Sequence, residues 1–321
     1  MGQADLIADI GGTNVRFALL KDGEICKERV FKCVDYDGLA PAARAYISEA
    51  GHNITLNNGA FAIAGPVLGD RFQMTNHLWS FSVSDVRDKL GLKSLRLFND
   101  FHALAMAIPH LSPNDIGLIG DGKAQSSKPI GIIGPGTGLG VASLIPSGQG
   151  MHPVPGEGGH VTMPARTQRE FEIFNWLKSE KYSHISAERV CSGKGIVNLY
   201  NAIKSLDNRQ DLPDLAAEEI TAQARQGQNE AAREAWELMA AFLGRIAGNL
   251  ALTLGAHGGI YIAGGIIPQS VDILEGTAFR EEFVKKGRFE SYLSDIPTIL
   301  ITHPLPALLG LRAFLRGEQS A

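Results

Sequence analysis

An aspartate and two glycines interrupt the chain where two apolar, strand-like runs meet. The stretch Asp9-Ile10-Gly11-Gly12-Thr13-Asn14 joins LIA to VRFALL, and an ordinary hairpin turn needs no carboxylate there. Because glycine accepts positive φ and carries no side chain, successive N–H groups of such a turn can point together at an anion. A carboxylate beside a polyphosphate has hydrated Mg²⁺ as its natural partner. The stretch therefore predicts a phosphate-binding turn that Asp9 serves.

Two more glycine-rich turns follow apolar, strand-like runs. They lie in KPIGIIGPGTGLGVASLI (128–145) and GGIYIAGGIIP (258–268). Neither the Walker pattern G-x-x-x-x-G-K-[ST] nor the dinucleotide pattern G-x-G-x-x-G is present. Any one turn could be a tight hairpin that uses glycine for backbone twist alone. The three together favour polyphosphate binding, and the similarity of the first two predicts a duplicated architecture.

Length and charge limit the classes of protein that the chain can belong to. At 321 residues it is too long for one comfortable core and suits two domains. Its formal net charge of −4 offers no electrostatic footprint for nucleic acid or an anionic membrane. The apolar stretch 238–268 contains Arg245, Asn249 and His257, so a membrane span is not expected. A small-molecule partner is the expectation.

Cysteine usage and the N-terminal residues indicate the compartment. Cys26, Cys33 and Cys191 form no CxxC pair and are odd in number, so neither a disulfide framework nor a zinc knuckle is expected. We interpret them as reduced core thiols. The N-terminus has no basic segment followed by the apolar run of a secretory leader. These features predict a cytoplasmic protein.

Helix and strand signals alternate along the first hundred residues, which predicts a mixed α/β domain. A strand-like run EICKERVF precedes a helix over 38–50 that Gly51 ends. The run GAFAIAGP reads as a buried strand. Ser82 and Asp85 resemble a capping box that opens the next helix, and SLRLF is a further strand.

Helical signals dominate the second half. Thr167 and Glu170 form a capping box that starts a helix with Phe171, Phe174 and Leu177 inward. Apolar residues from Trp236 to Leu254 step at threes and fours, which predicts a long buried helix that Gly255 ends. The stretch SLDNRQDLPDLAAEE is expected to be a loop, and the prolines before ALLGLRAFL predict a final helix.

Asp100 is the candidate for a proton-accepting group. If the bound polyphosphate were a phosphoryl donor to a hydroxyl, the transfer would need in-line positioning, charge neutralisation and a carboxylate that accepts the proton. Asp100 directly follows the strand SLRLF, so its side chain would project from the strand end into a cleft between domains. The alternative is that Asp100 merely caps the next helix, a role that aspartate fills well.

Several motifs together resemble a known superfamily. DIGGTNVRFALL resembles the first phosphate motif of the sugar-kinase, actin and heat-shock ATPase superfamily, GPGTGLG its second and IAGGIIP its adenosine motif. From end to end of the chain, LFNDF, TNHLWSFS, PGEGGHV, ISAERVCSG and KGRF resemble the proteobacterial type of bacterial glucokinase. The resemblance implies an α/β, two-lobed actin-like ATPase (ribonuclease H-like) fold with an interdomain cleft.

The resemblance also implies an activity and its residues. The activity is ATP-dependent phosphorylation of D-glucose to glucose 6-phosphate, the first step of glycolysis, with ATP and Mg²⁺ as cofactors and Asp100 as base. The implied sugar-binding residues are Asn99, Asp100, Glu157, His160 and Glu188. The implied nucleotide-binding residues are Ala8, Asp9, Ile10, Gly11, Gly12, Thr13, Gly136, Thr137, Gly138, Gly264 and Gly265. No residue is assigned as a direct metal ligand.

We expect a small domain over 1–110 plus 302–321 and a large domain over 111–301, which close on the substrates and exclude water. A homodimer is expected by family resemblance alone. The zinc site and N-terminal DNA-binding helix pair of related repressor-like kinases are not expected, since HVTMPARTQREFEIFNWLK lacks cysteine and the phosphate strand comes almost at once.

Alternatives remain open. Glu188, after Ser186 as a helix cap, could merely favour a helix first turn, and His160 could be structural. The sugar could be fructose, mannose or an N-acetylated amino sugar, and the donor could be ADP or polyphosphate. The chain could instead be a nucleotide-dependent sensor or assembly protein, which would hydrolyse ATP slowly without sugar dependence.

Overall fold

The computed structural model of the protein describes residues 2–51, 54–74, 78–148, 150–266 and 275–318. The chain divides into two compact units. Unit 1 comprises Met1–Ser112, Ser147–Pro155 and His303–Ala321, and unit 2 comprises Pro113–Pro146 and Gly156–Thr302. The sequence did not predict that Ser147–Pro155 groups with unit 1. The domain boundaries expected from the sequence stay a prediction.

Strands and helices alternate as the sequence predicted. The described strands are β1 (Gly2–Ile10), β2 (Asn14–Lys21), β3 (Glu24–Lys32), β4 (Ile54–Ile63), β5 (Arg71–Gln73), β6 (Ser80–Ser82), β7 (Ser94–Asn99), β8 (Ile116–Ile119), β9 (Ile130–Pro135), β10 (Leu139–Ser147), β11 (Gly150–Gly156), β12 (Ile260–Ile262) and β13 (Thr298–Ile301). The described α-helices are α1 (Leu39–Ala50), α2 (Val83–Leu90), α3 (Asp100–Ala107), α4 (Gln168–Glu180), α5 (Gly193–Leu206), α6 (Ala217–Gln226), α7 (Glu230–Leu254), α8 (Phe279–Val284), α9 (Glu290–Ser294) and α10 (Pro306–Leu315).

Unit 1 is built on a five-stranded sheet in the order β3-β2-β1-β4-β7. The first three strands are antiparallel neighbours, while β4 runs parallel to both β1 and β7. Strand β4 begins at Ile54, several residues before the apolar run that predicted it. Its early residues are only partly buried, so their composition does not stand out as a core strand.

Helices α3 and α10 cover one face of this sheet. They share a core with β1 and β4 that includes Ile7, Ala62, Met106 and Leu308. A Cβ on Gly310 would lie within bonding distance of the Ala103 carbonyl oxygen, so only glycine allows the two helices to approach this closely. The predicted final helix therefore exists, and it supports the helix that starts at Asp100.

The other face of the unit 1 sheet packs on α1. The Phe17 and Tyr46 rings stack with centroids 5.3 Å apart, and Phe61 meets Phe17 edge-on. All three rings are fully buried. This aromatic packing fixes the strands that end at the candidate site.

Unit 2 contains a six-stranded sheet in the order β11-β10-β9-β12-β13-β8. Strands β9 and β10 form an antiparallel hairpin, and β12 runs parallel to both β9 and β13. Both sheets thus place an antiparallel hairpin beside two parallel strands. The predicted duplicated architecture is confirmed at the level of topology, although the sequence analysis did not identify β8 or β13.

Helix α7 forms the centre of the unit 2 core, and Gly255 ends it in the left-handed conformation, as predicted. By length and composition it could cross a membrane, but 56% of its most apolar window is buried inside the structure. That burial is typical of a core helix. Trp236, Met239 and Leu243 lie on its buried face, as the spacing predicted.

A buried cluster of charges links α4, α7 and α8. Arg245 donates to both carboxylate oxygens of Glu170 at 3.0 Å and to Glu282 at 3.0 Å. Glu170 therefore occupies the inward position on α4, with Ile173, Phe174 and Leu177. The expectation that Phe171 faces inward was wrong, since its side chain is 54% exposed.

Candidate active site

The ends of three strands bring the predicted residues of unit 1 to one sheet edge. In the parallel register, Ile10 pairs with Ile63, and Ile63 pairs with Asn99. Neighbouring strands lie about 4.8 Å apart, so the end of β1 and the end of β7 are separated by about 10 Å. Asp9 and Asp100, which flank this row, therefore belong to the same edge.

Asp9 faces Arg16 across the first hairpin. Its carboxylate lies 3.5 Å from Nη1 of Arg16 and is 26% exposed. Burial raises the pKa of Asp9, and the charge and hydrogen bond of Arg16 oppose that rise without cancelling it. The carboxylate is thus incompletely neutralised by the protein, which suits a group that awaits a cation.

The turn after Asp9 leaves two backbone N–H groups for a ligand. The Gly11 N–H donates to the Asn14 carbonyl oxygen at 2.9 Å and closes the turn. The following N–H groups, of Gly12 and Thr13, have no acceptor among the described residues. Ala8 and Ile10, by contrast, are fully buried within β1. They support the motif from the core, and the turn itself carries its accessible polar groups.

Asn99 and Asp100 stand at the junction of β7 and α3. Asn99 caps the helix: its Oδ1 accepts from the N–H groups of Phe101 at 3.0 Å and His102 at 3.1 Å. Its Nδ2 donates to the Gly65 carbonyl oxygen at 3.2 Å, which ties the end of β7 to the end of β4. Asp100 is the first residue of α3, and its Oδ1 accepts from the Phe101 N–H at 2.9 Å.

The second glycine turn, in unit 2, repeats the design of the first. The Gly136 N–H donates to the Gly138 carbonyl oxygen at 2.8 Å. The N–H groups of Thr137 and Gly138 have no acceptor within the described part of the chain. The Gly136 carbonyl oxygen accepts from the Gly193 N–H at 2.8 Å, which joins the turn to the start of α5.

The third glycine pair lies beside the second turn. Gly264 has φ +95°, and a Cβ there would overlap the Pro135 carbonyl oxygen at 2.3 Å. Only glycine fits this position. Around Gly265, by contrast, no described atom lies within 4 Å of a built Cβ. Ile267 and Pro268, which complete the predicted adenosine motif, lie outside the described residues.

A cavity of about 510 Å³ opens between these glycines and two helices of unit 2. Its size falls in the range of small-ligand sites. Its lining consists of Gly136, Thr137, Gly193, Lys194, Ala217, Glu218, Thr221, Ala222, Arg225, Gly265 and Ile266. Part of this lining comes from helix α6, which begins at Ala217. The sequence predicted a loop up to residue 219 there and did not indicate that this segment lines a cavity.

Glu157 is the N-cap of a short 3-10 turn, Gly158–His160, that follows β11, and His160 is the last residue of that turn. Both side chains are exposed, and His160 Nε2 is 3.7 Å from Glu157 Oε2. The two glycines between them pack against β10. A Cβ on Gly159 would lie 2.0 Å from the Leu139 carbonyl oxygen, so this loop can approach the strand only without a side chain.

Glu188 lies next to that loop. The N–H of Ala187 donates to the Val161 carbonyl oxygen at 2.9 Å, and that of Met163 donates to the Ile185 carbonyl oxygen at 2.9 Å. These bonds pair the segments that carry His160 and Glu188. The Oε2 of Glu188 also accepts from the Leu139 N–H at 3.1 Å, directly beside the second glycine turn.

The local structure around Glu188 differs from the expectation. Glu188 lies in a single 3-10 turn, Ala187–Arg189, and Ser186 makes no side-chain cap. The serine that caps with its side chain is Ser192, at the start of the next helix, α5: its Oγ accepts from the Gly195 N–H at 2.9 Å. The same Oγ donates to the Glu188 carbonyl oxygen at 2.8 Å. The chain thus turns twice in succession, which leaves no room for a regular helix at Glu188.

The family is decided by comparison with known sequences. The glucokinase family profile matches residues 6–318. This chain belongs to the glucokinase family. A glucokinase from Paramagnetospirillum magneticum is 46% identical over 326 residues, which cover 100% of both chains. A glucokinase from Cronobacter sakazakii is 46% identical over 97% of this chain and 96% of its own.

Structural comparison gives the fold. A glucokinase from an Antarctic psychrotroph matches this chain with a TM-score of 0.82 at 33% identity, covering 98% of this chain and 99% of that one. The predicted fold class, an α/β actin-like ATPase fold, is confirmed. The resemblance to the glucokinase family that the motifs carried is confirmed as well.

Proposed function

We propose that this member of the glucokinase family transfers the terminal phosphoryl group of ATP to the 6-hydroxyl of D-glucose. One contact supports this proposal most directly. Glu188, one of the implied sugar-binding residues, accepts a hydrogen bond from the N–H of Leu139, which directly follows the second glycine turn. A kinase must hold a hydroxyl and a phosphate chain next to each other. The relatives at 46% identity are glucokinases, which favours glucose as the sugar.

The nucleotide would occupy unit 2 through its adenosine part. The cavity of about 510 Å³ beside Gly264 and Gly265 has the size and the mixed lining for a base and a ribose. The phosphate chain would then extend along the accessible N–H groups of Thr137 and Gly138. Backbone N–H groups bind phosphate oxygens without a lysine of the Walker type.

Mg²⁺ fits Asp9. Within the described residues no group of three His, Cys, Asp or Glu side chains could hold a metal ion by itself. Mg²⁺ does not need such a cage, because it commonly keeps several waters and binds one or two carboxylates together with substrate phosphates. Asp9 offers one incompletely neutralised carboxylate at the strand end. Bound there with ATP, the ion would neutralise phosphate charge.

Asp100 would accept the proton of the attacking hydroxyl. In the transfer step, the oxygen at carbon 6 forms a bond to the γ-phosphorus of ATP, while the bond from that phosphorus to the oxygen that bridges it to the β-phosphate breaks. The hydroxyl proton moves to the Asp100 carboxylate, and ADP leaves. Asn99, Glu157, His160 and Glu188 would bind the other sugar hydroxyls, and each would discriminate against an analogue that leaves it unpaired.

The proposed reaction needs groups from both units. The first glycine turn with its strand end, Asn99 and Asp100 belong to unit 1, whereas Glu157, His160, Glu188 and the second and third glycine turns belong to unit 2. The cleft and its closure stay a prediction of the family resemblance; such a closure would exclude water, which would compete with the sugar as nucleophile. A homodimer in the cytoplasm completes the proposal. The family resemblance supports the dimer, and free thiols, with Cys33 and Cys191 buried and Cys26 partly exposed, support a reducing compartment.

A coupled assay over a sugar panel tests the substrate. The purified protein is supplied with MgATP and, in turn, glucose, fructose, mannose and N-acetylglucosamine, while ADP and sugar phosphate are both measured. We expect the highest kcat/KM with glucose and one ADP per glucose 6-phosphate. A higher kcat/KM with another hexose would change the assigned sugar. ADP formation that does not depend on any sugar would support the sensor or assembly alternative.

A further inference from the structure

The carboxylate of Glu188 contacts the backbone at the end of the second glycine turn. Binding a sugar hydroxyl would not by itself require that contact. The Oε2 of Glu188 accepts from the Leu139 N–H at 3.1 Å. A Cβ added to Gly138 would lie only 2.5 Å from the same Oε2, so the carboxylate fills the space that a side chain would occupy. The sequence separation of 49 residues shows that this is a tertiary contact of two distinct elements.

A ring of hydrogen bonds encloses this contact. Ser192 Oγ donates to the Glu188 carbonyl oxygen at 2.8 Å, and the Gly193 N–H donates to the Gly136 carbonyl oxygen at 2.8 Å. The short turn of Glu188, the start of α5 and the second glycine turn are thus linked on two sides. A displacement of Glu188 must therefore act on the backbone that presents the N–H groups of Thr137 and Gly138.

We propose that Glu188 is a positioning residue that couples sugar binding to nucleotide binding. The inference rests on the proposed function, because it assumes that Glu188 accepts a sugar hydroxyl. A carboxylate has two oxygens and about four lone-pair sites, so one oxygen holds the Leu139 N–H while the other accepts the hydroxyl. Sugar binding then orders the Glu188 side chain and, through its hydrogen bond to Leu139, the second glycine turn. The nucleotide meets a turn that is already ordered and binds more tightly, and by linkage the sugar gains the same factor.

Gly138→Ala separates this role from direct sugar binding. The backbone at Gly138 does not require positive φ, so alanine is allowed there. Its methyl group takes the position of Oε2, and the flexible Glu188 side chain can rotate away while keeping its charge and its capacity to accept a sugar hydroxyl. The Leu139 N–H then loses its acceptor. Gly117→Ala on β8 is the matched control, because no described atom lies within 4 Å of its Cβ position.

Calorimetric titration measures the coupling factor. This factor is the Kd of a non-hydrolysable ATP analogue with Mg²⁺ in the absence of glucose, divided by its Kd in saturating glucose. We expect a factor of at least about fivefold for the wild type and for Gly117→Ala. In Gly138→Ala it should fall by more than twofold, while the Kd for glucose alone changes by less than about threefold. The double variant Glu188→Ala/Gly138→Ala should have a coupling factor within about twofold of that of Glu188→Ala alone, because Glu188→Ala has already removed the hydrogen bond to Leu139.

The outcomes distinguish the inference from the function on which it rests. A wild-type factor below fivefold, or a Gly138→Ala factor within twofold of the wild type, overturns the coupling role of Glu188 even if glucose is bound and phosphorylated. A wild type that neither binds glucose nor forms glucose 6-phosphate overturns the proposed function and the coupling together. The kcat and KM of Gly138→Ala, determined in parallel, should show the loss mainly in the KM for ATP.

Discussion

Asn99 holds the N-cap of helix α3, and Asp100 is the first residue of that helix. The side-chain oxygen of Asn99 accepts from the N–H groups of Phe101 and His102, at 3.0 and 3.1 Å. The alternative that Asp100 is the N-cap of this helix was therefore wrong. The Asp100 carboxylate also accepts from the Phe101 N–H, at 2.9 Å, so it supports the first turn without being the N-cap, and its role as base stays a prediction.

Replacing Asp100 by Asn should separate catalysis from folding. We expect kcat to fall by about 10²- to 10⁴-fold, the usual range for loss of a general base, because the amide cannot accept the proton. The Kd for glucose should stay within a few-fold, and the melting temperature should change little because Asn99 retains the cap. Asn99→Ala provides the comparison, with a loss of about 1 kcal/mol of stability. A wild-type kcat in Asp100→Asn would exclude the base role.

Asp9→Asn should raise the stability of the protein without ligand. Burial raises the pKa of Asp9 from 3.8, so the folded state holds this proton more tightly than the unfolded state. Its contribution to stability is fully present below pH 3.8 and is lost as the pH rises through the folded-state pKa. Once the pH exceeds the folded-state pKa, the ionised carboxylate is therefore a cost that asparagine removes.

Thermal melts at pH 7 with and without MgATP test this expectation. Asp9→Asn should melt higher than the wild type without ligand, yet gain less from MgATP and have little activity. Asp5→Asn, on the same strand, is the control. Asp5 accepts from the Asn58 N–H at 2.9 Å, and its replacement should not raise the melting temperature. A lower melting temperature for unliganded Asp9→Asn would contradict the account.

The buried charge cluster of unit 2 should depend on Arg245. Removal of Arg245 leaves the buried Glu170 without its cation, whereas Glu282 keeps Arg166 at 2.7 Å, so Arg245→Ala should cost about 3 kcal/mol in the free energy of unfolding. Arg233→Ala on the same helix is the control. Its ion pair with Glu237 spans 3.5 Å between exposed side chains and should contribute under about 1 kcal/mol. Urea unfolding of both variants decides, and equal losses would refute the special role of the cluster.

The same cluster sets a pH dependence. Burial would raise the pKa of Glu170, but the hydrogen bonds and charge of Arg245, with the Arg166 N–H, outweigh burial and hold the pKa below 4.5. Stability from Glu170 is therefore present above pH 4.5 and is lost as the pH falls through the lowered pKa. We expect the wild type to lose stability steeply below pH 4.5, and Arg245→Ala to lose less over that interval. Parallel slopes for the two proteins would contradict this assignment.

Two neighbouring glycines should respond differently to alanine. At Gly264 the positive φ and the nearby Pro135 carbonyl oxygen oppose a Cβ, so Gly264→Ala should lower the melting temperature and also weaken ATP binding. At Gly265 the Cβ position is open, so Gly265→Ala should melt like the wild type but raise the KM for ATP, because the methyl group projects where the nucleotide would lie. An unchanged KM in Gly265→Ala would place the nucleotide elsewhere.

Signals within a few residues of one another were sufficient to predict much of the fold. Ser82 accepts from the Asp85 N–H, Thr167 accepts from the Glu170 N–H, and Gly255 ends α7, all as expected. The burial of Glu170 could not be predicted in this way, because its partner Arg245 lies 75 residues away. Where the partner is distant in sequence, local periodicity favours the apolar residue, here Phe171, over the charged one.

The candidate site shows the same limit. The glycine turns and the Asn99-Asp100 pair could be predicted, because each is a strand end followed by glycines or polar residues. The contact of Glu188 with Leu139 and the lining of the cavity by α6 could not be predicted, because both depend on how separate segments pack. Lys194, between Gly193 and Gly195 at the start of α5, also lines this cavity, and the sequence did not predict a role for it.

The formation of glucose 6-phosphate by the wild type, compared with Asp100→Asn, tests the central proposal most directly. Purified protein is incubated with MgATP and glucose, and the product is identified by the position of its phosphate. The account predicts phosphate on the 6-oxygen, formed in step with ADP and nearly abolished in Asp100→Asn. ADP release at the same rate without glucose, or phosphorylation that persists in Asp100→Asn, would contradict it.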